Sequence, residues 1–206
     1  RVLLATNPAI KENADILVKW LGSAEKKPSG GREDLKRQAE RFTDLATLMD
    51  VGSETHKTSA ARQILDLASQ LPLTTVSAKD RQIAEKAFEH LKAAAGPDPG
   101  RSLIIYREYL SLLEHWKSHG KARPLILEML KKFDAARAEF SLHHLLAKIH
   151  MDEGRPNDAL GSLRESFRLG LEDGAARLMY GELLEKMGRP NEAVNEYVTA
   201  IESVLW

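Results

Sequence analysis

The chain has 206 residues, enough for one large or two small domains. Its 30 basic and 30 acidic side chains leave no net charge, which excludes a nucleic-acid binder driven by wholesale phosphate neutralisation. It has no cysteine, so a disulfide framework and thiolate metal sites are excluded, and no apolar run approaches the roughly 18 residues of a membrane span.

In chain order the periodicity is helical, with no credible strand alternation. Ile10, Ala14, Leu17 and Leu21 share one face of a segment over 9–21. Lys26-Lys27-Pro28-Ser29-Gly30-Gly31 follows, a loop without apolar content that reads as a flexible linker. Leu35, Ala39, Phe42, Leu45, Ala46 and Met49 line a helix over 33–50. Ala61, Ile64, Leu65 and Ala68 line another over 58–71, capped by Thr58 or Ser59 and stopped by Pro72. A third, over 77–95, has Ser77 as its cap and Asp80 in its first turn. Gly96-Pro97-Asp98-Pro99-Gly100 cannot continue a helix and marks the best boundary. The expected domains are therefore 1–31, an N-terminal helix and linker; 32–98, a helical region; and 99–206, where the sequence begins to repeat. The first residue is Arg1, so the chain reads as a processed product or a piece of something longer.

The repeat is explicit. Gly154-Arg155-Pro156-Asn157-Asp158-Ala159 returns 34 residues later as Gly188-Arg189-Pro190-Asn191-Glu192-Ala193, and a further step back lands on Gly120. Glycine suits a left-handed residue closing one helix, proline the first turn of the next, and the carboxylate that helix's positive end. Over 106–206 the chain resembles the tetratricopeptide repeat (TPR) family, with units starting near Tyr106, Phe140 and Gly174. Ala147 with Ala159, and Gly181 with Ala193, match that family's paired small residues, with Tyr197 and Ala200 following at its spacing. The first unit departs, with Leu113 and Leu125 at the small positions and Pro124 two places late. The resemblance implies an all-α solenoid of antiparallel helix pairs in a right-handed superhelix. Residues 32–98 are either a degenerate repeat or an unrelated helical cap.

Candidate chemistry is sparse. His115 and His119 are one helical turn apart, and His143, His144 and His150 lie one repeat on. Trp116 stands where a zinc-protease helix needs Glu, no acid completes a set, and the resemblance implies that His143 and His150 fall at positions that pack on the partner helix. Gly52-Ser53-Glu54-Thr55-His56-Lys57-Thr58 lacks the spacing of a phosphate loop and reads as a polar turn. No metal, no cofactor and no catalytic residue is expected, and the chain reads as a non-enzyme.

The informative surface is the groove that first helices line in the resembled family. Carried over by position, it comprises Arg107, Leu110, Glu114 and Lys117; Ser141, His144, Lys148, Met151 and Asp152; and Leu178, Glu182, Glu185 and Lys186. The lining reads as cationic toward one end and acidic toward the other, with Leu110, Met151 and Leu178 as apolar contacts. Glu114 and Leu145 replace the asparagines of the family's carboxylate clamp, which argues against that subclass. The resemblance implies a protein–protein interaction module, an adaptor, assembly factor or chaperone-like holder of a partner's peptide segment. No nucleic acid and no membrane insertion is expected, and the cytoplasm is the default compartment. The alternatives are a regulatory or docking domain of a larger enzyme, and a self-association module. Ala193, Val194, Tyr197, Val198, Ile201, Val204 and Leu205 would leave the last helix with an uncovered face, expected to be covered by a partner, by a second copy in a homo-oligomer or by a further C-terminal helix.

Overall fold

The structure is a computed structural model and describes residues 32–205 apart from Ala138 and Glu172. The expected helix over 9–21 and its linker lie outside these residues. Ten helices and no strand are found among them: α1 Arg32–Val51, α2 Glu54–Gln70, α3 Ala78–Ala94, α4 Pro99–His115, α5 His119–Lys132, α6 Asp134–Arg137, α7 Phe140–Asp152, α8 Pro156–Arg168, α9 Gly174–Lys186 and α10 Pro190–Leu205. The fold is an all-α solenoid. Its described residues form two compact units, one ending at Ser118 and the other starting at His119.

In the first unit α2 packs on α1 and α3, and α4 packs on α2 and α3. Phe42, Leu45, Ile64, Ala84, Leu91 and Leu112 are buried there. Phe88 stacks on Tyr109 at 4.2 Å and meets Tyr106 edge-on at 5.3 Å. Burial, reinforced by Glu85 and Glu89, holds the Tyr109 hydroxyl well above its usual pKa. Ser77 and Asp80 form a full capping box at α3, as the sequence indicates. The start of α2 differs. Ser53, not Thr58 or Ser59, is its cap, and Thr58 lies within the helix with its Oγ1 donating to the Glu54 carbonyl at 2.9 Å. The polar stretch 52–58 is thus mostly helix, which removes any phosphate-loop geometry. The break at 96–100 falls inside this unit. Asp98 caps α4 by accepting from Gly100 and Arg101 N–H, with Pro99 in the first turn.

In the second unit α7 pairs with α8, α9 pairs with α10, and α9 also packs on α8. One core joins the four: Ala147, Ala159, Leu160, Leu163, Tyr180, Leu183, Leu184 and Ala193. Ala159 and Ala147 are fully buried, as the small-residue pattern predicts. Gly181 has a sharper reason. A Cβ at that position would clash with the ring edge of Tyr197, so α10 approaches α9 this closely because the side chain is absent.

The two glycine motifs close α7 and α9 in the same way. Gly154 has φ 70° and Gly188 φ 73°, and the following amides of Arg155 and Arg189 donate to His150 and Leu184 carbonyls. The turn after α4 has this geometry too, but not at Gly120. Lys117 takes the left-handed conformation with φ 50°, and Ser118 N–H donates to the Leu113 carbonyl at 2.8 Å. Gly120 lies inside α5. The spacing is therefore 37 residues from Lys117 to Gly154, against 34 from Gly154 to Gly188. At 37, Ala147 aligns with Leu110 and Ala159 with Ala122, which is fully buried. The small residue sought at position 125 is at 122.

Candidate functional site

The three-residue correction in register decides which groove assignments survive. Leu110 does not. It is 4% exposed and belongs to the core of the first unit, so it offers no surface to a ligand. Arg107 and Glu114 are exposed on α4, and Lys117 is exposed in the turn behind it. Ile104, at the position of Ser141 once the spacing of 37 is used, is an exposed apolar residue that the spacing of 34 missed. The buried Ala122 was the signal that would have found it.

On α7, Ser141, Lys148 and Asp152 are exposed, while His144 and Met151 are half-buried. Met151 packs against the core of the four helices, which gives its side chain a structural role. On α9, Leu178, Glu182, Glu185 and Lys186 are exposed, and Leu178 remains 47% accessible despite its size. Phe140 at the start of α7 is exposed as well. Positions one repeat apart pair Lys148 with Glu182 and Asp152 with Lys186. The first pair follows the cationic-to-acidic order read from the sequence, and the second runs against it.

Asp152 and Glu185 are already engaged. Asp152 Oδ2 lies 3.2 Å from His119 Nδ1, and Glu185 Oε2 accepts from the Tyr197 hydroxyl at 3.0 Å. Burial, with Lys148 adding to it and Asp173 opposing, holds the His144 imidazole below its usual pKa.

Two of the candidate ligand histidines have partners within the fold. His115 Nε2 is 2.9 Å from the Leu71 carbonyl. His150 is buried, with Nδ1 3.4 Å from the Ser162 hydroxyl. His143 is half-buried. Among the described residues, no three His, Asp or Glu side chains converge as a metal site would require. No described helix is long and apolar enough to cross a membrane.

On α10, Ala193 and Ala200 are buried against the solenoid, and Tyr197 is half-buried. Val194, Val198 and Ile201 are exposed along an adjacent face of the helix. The side chains of Val204 and Leu205 lie outside the described residues.

No protein-family model matches the chain, and no curated protein does. Solved structures do. MamA of RS-1, in an ArsTM double mutant, superposes with a TM-score of 0.52 at 14% identity, covering 95% of this chain and 96% of that one. Another MamA crystal structure gives 0.49 at 16% identity, covering 85% and 96%. MamA of AMB-1 gives 0.48 at 18%, covering 81% and 91%. The RS-1 structure shares the all-α solenoid fold at an identity where only the fold is informative.

Proposed function

We propose that the chain is a tetratricopeptide-type protein–protein interaction module, acting as an adaptor, assembly factor or chaperone-like holder. Its binding face in the second unit is the first-helix surface of α7 and α9, and its ligand is a partner's peptide segment. The observation that carries this reading is Leu178. A leucine left 47% exposed on α9 is flanked by Glu182, with His144 and Lys148 at the matching register of α7. An apolar anchor inside a charged frame is the usual division of labour at an interface, the apolar group slowing release and the charges setting orientation. Lys148 ahead of Glu182 favours a segment that presents an acidic group to the first and a basic group to the second. No catalytic step is assigned to this face.

The test begins with affinity capture of partners by the parent chain. Lys148→Glu and Leu178→Ala are then titrated against the captured partner, with circular dichroism as the folding check. Each is expected to weaken binding by about tenfold or more while leaving helicity unchanged. If both bind like the parent and Arg164→Glu on α8 abolishes binding, the first-helix face is not the site.

A further inference from the structure

On α7 a histidine and a lysine share one face. His144 and Lys148 are four residues apart, so their side chains are neighbours on the helix surface. His144 is half-buried and Lys148 is exposed. Lys148 pairs with no carboxylate among the described residues, and no ion pair joins it to Glu182 at the same register of α9. The other charged groups on the elements packed against α7 have partners of their own. Asp173, the acid that acts on His144 from the start of α9, caps that helix by accepting from Ala175 N–H at 2.9 Å. Glu185 of α9 accepts from the Tyr197 hydroxyl, which Glu182 also influences. On α8, Arg164 Nε donates to the Tyr180 hydroxyl at 2.7 Å, and Arg168 donates twice to Glu165. On α5, His119 and Arg123 meet Asp152 and Glu153.

The pair is therefore short of a countercharge on the side that faces solvent. Burial and the Lys148 ammonium oppose protonation of His144, and Asp173 offsets them only in part. We propose, on the reading of this face as the binding site, that the partner segment seats an Asp or Glu side chain against His144 and Lys148, and that His144 takes up a proton from solvent as the carboxylate arrives. The incoming charge favours the imidazolium, by about one pKa unit or more for an opposite charge in contact. The direction of the pH effect follows from linkage. The pKa of His144 is higher in the complex than in the free chain, so binding tightens as pH falls through the bound value, and the gain is complete below the free value. A carboxylate of the segment stays ionised over that range, and an ammonium alone gives no such dependence, since lysine titrates far above it. The proton that weakens the free fold thus strengthens the complex.

The probes are the peptide acetyl-Glu-Ala-Leu-Ala-Lys-amide, its reversed sequence, and the same two with Gln in place of Glu. Capping leaves the Glu side chain as their one carboxylate. Each is titrated into the isotope-labelled 206-residue chain at about pH 6 and about pH 8, and amide and imidazole shifts are followed. A glutamate peptide is expected to bind with a Kd of about 1 mM at the higher pH, to shift amides over 144–148, and to bind about tenfold more tightly at the lower pH. At saturation the His144 imidazole midpoint is expected to rise by about one unit, which reads the linkage in the parent chain without a substitution. In His144→Gln the affinities at the two pH values are expected to converge, as they are for the glutamine peptides with the parent. Absence of shifts on α7 at millimolar glutamate peptide overturns the proposal. A pH dependence that persists in His144→Gln overturns it too. Equal affinities at both pH values, with shifts on α7 and α9, would overturn the proton uptake and leave the face as the binding site, whereas shifts confined to other helices would overturn both.

Discussion

At Gly181 two opposing residue-scale effects can be weighed. Replacing a mid-helix glycine with alanine gains about 1 kcal/mol of helix propensity. Here the new methyl would meet the Tyr197 ring, which can yield only by giving up its hydroxyl's hydrogen bond to Glu185. Overpacking of this kind costs about 1–3 kcal/mol, so Gly181→Ala is expected to destabilise the chain. In a Tyr197→Ala background the obstruction is gone, and the same substitution is expected to stabilise. A thermal melt of the four proteins in this cycle checks it, and the same sign in both backgrounds would exclude the ring as the reason for the glycine. His144 supplies a second residue-scale prediction. Its folded-state pKa lies below the unfolded value, so protonation favours the unfolded chain. The stability it contributes is fully present above about pH 6.5 and is lost as pH falls through the folded pKa. Lys148→Ala is expected to raise the imidazole midpoint read by proton NMR, toward the unfolded value. A midpoint that does not move would show that Lys148 does not act on this ring.

At the scale of elements, legibility depended on whether a position's chemistry was unique to its residue type. The α7–α8 and α9–α10 turns could be read because only glycine takes a φ near 70° without strain, and because proline suits the first turn that follows. The turn after α4 has the same hydrogen bonds but gives its left-handed position to Lys117, which no glycine rule can find. A step of 34 from Gly154 therefore lands on Gly120, three residues away, and places the core residue Leu110 in the groove. Alanine spacing would have been the better guide, since Ala122 occupies the buried position of Ala159. The side-chain pairings of the candidate face were illegible for a different reason. Tyr197 with Glu185 and His119 with Asp152 join different helices, so their partners follow from packing and not from spacing along one helix. Arg177 is a further case, held by Phe167 on α8 and paired at 2.8 Å with Glu196 on α10. It ties α9 to both neighbours, and nothing in the 34-residue motif announces it.

For the molecule as a whole, the question is how far stability is shared along the stack. In a solenoid each pair is stabilised by itself and by the interface with its neighbour, so a local lesion spreads only as far as that interface is strong. The second unit has one continuous core across four helices, with Ala147 and Ala159 from the first pair touching the cluster that contains Tyr180, Leu183 and Ala193 from the second. Ala159 is fully buried in it, leaving no room for a larger side chain. Ala159→Leu is expected to destabilise this region by about 1–3 kcal/mol through overpacking. Because the cluster is shared, the loss should appear in amide exchange protection of α9 and α10 as well as of α7 and α8. Loss confined to α7 and α8 would mean that the α8–α9 interface couples the pairs weakly, despite Arg164, Phe167 and Arg177. A variant as stable as the parent would mean that Ala159 does not sit in the close helix contact, and the alignment of the two repeats would fall with it.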